Sequence, residues 1–168
     1  MKTSAIIAQA EENLQKRFNL IDHIAYINQE KVLLALQRNH IRDSHFNTTT
    51  GYGYGDVGRD DLEKVYADLF KTEDALVRTQ IVSGTHAISA CLFGILRPGD
   101  ELISVLGSPY DTLCRVIGKS SAERGTLIQR GINYKEVPLS INGSPDYENI
   151  AKTVGKNTRM VLIQRSKG

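Results

Sequence analysis

Little in this sequence points to a membrane, a metal or a nucleic acid. No apolar run approaches the roughly 18 residues that a membrane-spanning helix needs. The opening Met1-Lys-Thr-Ser-Ala-Ile-Ile-Ala, followed by Gln9-Ala-Glu-Glu, lacks the apolar core of a signal peptide. There are two cysteines, Cys91 and Cys114, and neither stands at metal-ligand spacing. Both lie in apolar helical contexts and are expected to be buried and reduced, with the cytoplasm as the expected compartment. A net charge of +2 offers no electrostatic case for nucleic acid or for a membrane surface. Repeats and low-complexity stretches are missing too.

What is present is globular material. The 168 residues are 40% hydrophobic and 24% charged, enough to bury one sizeable core. Residues 4–18 have helical spacing, with Ser4 a plausible cap and Ile7, Ala10 and Leu14 on one face. Phe18-Asn19-Leu20 is expected to break that helix, and a second is expected from Asp22 to Arg38. Both precede any strand, so they read as an N-terminal arm whose apolar faces need the main domain or another subunit.

The texture then changes. His45 to Gly58 holds four glycines, three threonines and two tyrosines in fourteen residues, which suits neither a long helix nor a packed strand. Such a stretch is either a flexible linker or a loop over a site. Tyr52 and Tyr54 favour the loop, because aromatic rings are costly to leave in water. Arg59 to Phe70 is a helix with Leu62, Val65, Tyr66 and Leu69 on one face. Asp60, Asp61 and Glu63 in its first turn compensate the helix dipole; adjacent carboxylates on a helix diverge and make a poor metal or acid–base pair.

The stretch from Ala75 to Leu96 organises the remainder. Leu76, Val77, Ile81 and Val82 predict a strand over 76–82, Ser83-Gly84-Thr85 a turn, and Ala87 to Leu96 a helix with Ile88, Cys91, Leu92 and Ile95 along one side. A helix start leaves backbone N–H groups without intrahelical partners, where the dipole favours negative charge. Gly84 permits close approach, and the Ser83 and Thr85 hydroxyls add donors. That pattern fits an anion-binding turn, and it fits an ordinary capped helix as well.

Further strands are expected at 101–106, 132–137 and 159–164, with helices at 113–118 (capped by Asp111 or Thr112) and 146–154, and a polar loop around 119–125. Strands alternating with helices predict an α/β domain with a largely parallel sheet. Ligands bind beyond the carboxyl ends of such strands. Ser83–His86, Gly107–Tyr110 and Gln164–Gly168 all follow expected strands, so one sheet edge would hold an anion-binding turn beside the Tyr110 ring.

Five segments carry a family resemblance: Gly-Tyr-Gly-Tyr-Gly-Asp (51–56), Asp-Leu-Glu (61–63), Ser-Gly-Thr-His-Ala (83–87), Pro-Gly-Asp-Glu-Leu (98–102) and Pro-Tyr-Asp-Thr (109–112). Their order and spacing, over nearly the whole chain, resemble the cystathionine/methionine γ-lyase group of fold type I pyridoxal-phosphate enzymes. Within that group the chain is most similar to the methionine γ-lyase-like branch known as aluminium-resistance proteins. The resemblance implies an arm and Gly/Tyr loop at 1–58, then at 59–168 the first part of a pyridoxal-phosphate-binding large domain.

It further implies that Ser83, Gly84 and Thr85 hold the pyridoxal 5'-phosphate group and that Tyr110 stacks on the pyridine ring. In the family a Tyr-x-Arg pair from a neighbouring subunit reaches the phosphate. Here the loop has Tyr52 and Tyr54 without the arginine, and Arg59 is a weak substitute. His86 replaces a small residue, either near the ring or merely filling the helix start.

The implied activity is carbon–sulfur lysis of a sulfur amino acid by a homo-oligomer, a dimer or tetramer. The alternatives are another fold type I activity (aldolase or decarboxylase) and a non-catalytic piece that assembles with a partner. The family's Schiff-base lysine and its pyridine-pairing aspartate lie beyond the strand ending at Gln164. Lys167 follows the wrong strand for that role, so this stretch is expected to be the N-terminal part of a longer enzyme and inactive alone.

Overall fold

The computed structural model describes residues 3–50, 52, 54–119 and 124–165. Gly51, Gly53, part of the expected polar loop (120–123) and Lys167 lie outside the described residues. The chain forms two compact units, Met1–Thr79 and Gln80–Gly168.

The first unit is built on α1, Thr3–Arg38, a single helix of 36 residues. The expected break at Phe18-Asn19-Leu20 does not occur. Neither proline nor glycine is there to stop the backbone, and Gln15 donates to Asn19 Oδ1 at 2.9 Å, one turn on, keeping the asparagine on the helix surface. Ala35 is fully buried, and Arg38 next to it binds Asp68 Oδ2 through Nε at 2.8 Å. Asp68 belongs to α2, Val57–Phe70, so a short packed contact and an ion pair fix the two helices together.

Asp56 caps α2, accepting from the Arg59 amide at 3.2 Å and from Thr49 Oγ1 at 2.9 Å. A short 3-10 turn, Asp43–Phe46, precedes the cap. Its His45 reaches Asp61 Oδ2 of α2 through Nε2 at 3.1 Å. Glycine is required at 58, because a Cβ there would collide with the His45 carbonyl.

The strand expected over 76–82 is absent. β-Propensity is largely the fit of side chains against a paired neighbour, and these β-branched residues have no adjoining strand among those described. Instead the Val77 amide donates to Glu63 Oε1 at 2.8 Å, and Arg78 pairs with the same carboxylate.

The second unit is mixed α/β. After α3 (Gly84–Ile95) come β1 (Glu101–Ser104), α4 (Asp111–Ile117), β2 (Asn133–Glu136), α5 (Tyr147–Thr153) and β3 (Thr158–Leu162). The strands pair in parallel in the order β2-β1-β3, as the alternating pattern predicts. All four residues of the central β1 are buried, while the flanking β2 and β3 alternate between more and less exposed positions.

Leu102 joins Leu92 and Leu96 of the α3 segment, Leu113 and Ile117 of α4, Leu127 and Ile132 in one core cluster. Ile103, the next residue along, packs with Val105 and Val137 and with Ile150 of α5 in a second. At the start of β1, Glu101 accepts from Thr158 Oγ1 at 2.8 Å and pairs with Lys135 at 2.6 Å, linking all three strands.

The inward stripe of α3 is Ile88, Leu92 and Leu96, four residues apart. Cys91 falls just off that stripe and is exposed, which corrects the expectation of a buried thiol, whereas Cys114 is buried.

Candidate functional site

The edge where β1 ends carries the loop Gly107–Tyr110. Gly107 turns the chain at φ 79°, a left-handed conformation that favours glycine, and its amide donates to the Val137 carbonyl at 2.9 Å. Tyr110 then occupies the N-cap position of α4 without a side-chain capping bond. Neither Asp111 nor Thr112 caps this helix. The Tyr110 amide donates to Gln164 Oε1, just past β3, at 3.2 Å.

α3 begins nearby. Ser83 is its N-cap, with Oγ accepting from the His86 amide at 3.1 Å and its carbonyl from the Ala87 amide at 3.0 Å. Helix geometry leaves the first two N–H groups, on Gly84 and Thr85, without an intrahelical acceptor. Among the described residues no hydrogen-bond acceptor is found for either. A Cβ built on Gly84 would meet nothing within 4 Å among the described residues, so the space beside this residue is open.

Thr85 joins the two parts. Its Oγ1 lies 2.9 Å from the Tyr110 hydroxyl and 3.1 Å from Thr112 Oγ1. The exposed helix start and the half-buried tyrosine ring are thereby held against each other. This is the juxtaposition expected from the sequence, although no strand leads into the Ser83 turn.

His86 is exposed and turns back, its Nδ1 accepting from the Val82 amide at 3.4 Å. In the other unit, Tyr52 and Tyr54 are 84% and 93% exposed, so neither ring is packed within its own unit. The Arg59 guanidinium is held by the neighbouring Asp60 at 3.2 Å.

Two participants escaped the sequence reading. The sequence offers Asp111 or Thr112 as a cap, and the Thr112 hydroxyl bonds Thr85 instead. Gln164 lies in a segment expected at this edge, but only the fold shows that its side chain meets the Tyr110 amide. No residue of this cluster is placed to act as a nucleophile with an adjacent base. What it brings together is a helix start with two N–H groups lacking acceptors among the described residues and an aromatic ring.

The chain matches, over residues 3–168, the profile of the family described as Methionine gamma-lyase. An uncharacterized Bacillus subtilis (strain 168) protein, YnbB, is 48% identical over 149 residues, 88% of this chain and 35% of that protein. A solved Listeria innocua structure, described provisionally as a cystathionine beta-lyase involved in aluminum resistance, is 52% identical with a TM-score of 0.95. The match covers 100% of this chain and 41% of that one. The carbon-sulfur lyase involved in aluminum resistance from Clostridium novyi NT is 48% identical with a TM-score of 0.90, covering 95% of this chain and 39% of its own. The present chain thus spans well under half the length of these relatives.

Proposed function

Because this chain belongs to the methionine gamma-lyase family, we propose that it forms the N-terminal part of a pyridoxal-phosphate-dependent carbon–sulfur lyase of fold type I, acting on a sulfur amino acid. The observation that carries the reading is the Thr85–Tyr110 contact, which sets an open helix start beside an aromatic ring. The residues fit the cofactor. Two N–H groups without acceptors among the described residues and the room beside Gly84 suit a phosphate, and Tyr110 offers a flat partner for a pyridine ring.

In this reading the Gly84 and Thr85 amides bind the phosphate oxygens, helped by the positive end of the α3 dipole. The Tyr110 ring orients the cofactor and excludes water from one of its faces. Thr112 holds the Thr85 hydroxyl in place. When bound, the cofactor supplies an electron-accepting ring that acidifies the substrate α-proton and allows a thiol to leave from the β or γ carbon. Tyr52 and Tyr54 serve the site of a neighbouring subunit in a cytoplasmic homo-oligomer, and the lysine that anchors the cofactor belongs to the remainder of the enzyme.

The test is thiol release from cystathionine and methionine by the full-length gene product loaded with pyridoxal phosphate. Turnover of either is expected. Binding of the cofactor with turnover of neither would move the assignment to another fold type I activity.

A further inference from the structure

The loop that carries Tyr110 is gripped from the β2 side as well as by Gln164. Lys119, two residues past the end of α4, turns back so that its Nζ donates to Ser108 Oγ at 2.9 Å. The same ammonium lies 2.6 and 2.9 Å from the two carboxylate oxygens of Glu136, the last residue of β2. Tyr134, also on β2, donates its hydroxyl to Glu136 Oε1 at 2.7 Å. Within α4 the Cys114 thiol donates to the Pro109 carbonyl at 3.3 Å. Ser108 is thus held by Lys119, with its Oγ also 3.4 Å from Cys114 Sγ, and Pro109 by Cys114.

We propose that Lys119 is a positioning residue that fixes the 107–110 loop against β2, and with it the ring of Tyr110. The importance of that ring rests on the cofactor reading above; the brace itself does not. The Lys119 side chain is 39% exposed and that of Glu136 25%, so solvent reaches the pair in part, and Glu136 has a second donor in Tyr134. Burial pushes the Glu136 carboxyl up, but hydrogen bonds from Lys119 and Tyr134 outweigh it and hold the group below its ordinary value. Burial, followed by the bond to Glu136, pushes the Tyr134 phenol well above its usual range. Glu136 thus stays an acceptor and Tyr134 a donor near neutral pH, and the brace is fixed, not switched.

The experiment uses the full-length gene product and the variants Lys119→Met, Lys119→Arg and Glu136→Gln. It reads amide hydrogen exchange at Tyr110 without cofactor, the equilibrium affinity for pyridoxal phosphate, and the thermal midpoint. Lys119→Met and Glu136→Gln are expected to speed Tyr110 exchange and to weaken cofactor binding about threefold to tenfold, with the thermal midpoint little changed. Lys119→Arg, which keeps the charge and the reach, is expected to restore both. Exchange and affinity unchanged in Lys119→Met would overturn the proposal. If the wild-type protein takes up no pyridoxal phosphate, the cofactor reading fails. Faster Tyr110 exchange in Lys119→Met would even then uphold the brace, and unaltered exchange would sink it.

Discussion

Thr85 Oγ1 stands between two hydroxyls, Tyr110 and Thr112, and that contact turns two separate sequence motifs into one site. Tyr110 contributes to it twice, with a ring for stacking and a hydroxyl for Thr85. Tyr110→Phe removes only the hydroxyl bond, worth about 1 kcal/mol, and should keep cofactor affinity within about fivefold. Tyr110→Ala also removes the ring, whose stacking is worth about 0.5–1.5 kcal/mol beyond area burial, and should bind distinctly more weakly than the phenylalanine variant. Equal affinity in the two variants would exclude a stacking role.

Glu101 acts at the opposite end of β1. The hydrogen bond from Lys135 is the largest influence on its carboxyl, and with Thr158 it outweighs burial, so the group stays below its ordinary 4.5. A depressed carboxylate contributes stability that is present above its unfolded value and lost as pH falls through the folded one. Glu101→Gln should therefore cost about 1 kcal/mol at neutral pH and progressively less below about pH 4.5, read by urea unfolding. A gap that is constant down to pH 2.5 would mean that the charge on Glu101 is irrelevant.

At the scale of elements, legibility followed the strength of local signals. The parallel strands and the helices between them were readable, because apolar runs and Gly/Pro punctuation mark them directly. The 76–82 strand was not, since whether β-branched residues become a strand depends on a partner that no local pattern reveals. In α1 an aromatic–asparagine–leucine step was read as a break, yet continuous hydrogen bonding with no glycine or proline carries the helix through it.

That helix leaves Leu14, Phe18 and Ile21, spaced four and three residues apart, exposed within its own unit. The Gly/Tyr loop likewise leaves Tyr52 and Tyr54 in solvent. If the loop serves a neighbouring subunit, then mixing an inactive Tyr52→Ala/Tyr54→Ala variant with an inactive Gly84→Val variant should regain activity through hybrid oligomers. No recovery, with subunit exchange demonstrated by mass, would confine the loop to its own subunit.

For the whole molecule, the family was legible from motif order and the meeting of the Ser83 turn with Tyr110 from the strand–helix alternation, whereas the side-chain contacts between them were not. Thr112, Gln164 and Lys119 come from three places in the chain and meet only through the fold. The cofactor reading of this edge depends on the start of α3 receiving a phosphate. The most direct measurement is an equilibrium titration of the full-length gene product and its Gly84→Val variant with pyridoxal phosphate. A Cβ at position 84 meets none of the described atoms within 4 Å, so the first carbon of the new side chain is accommodated. The account predicts that Gly84→Val weakens binding at least about tenfold, or 1.4 kcal/mol, while leaving the thermal midpoint of the cofactor-free protein in place. Equal affinity in the two proteins would contradict it.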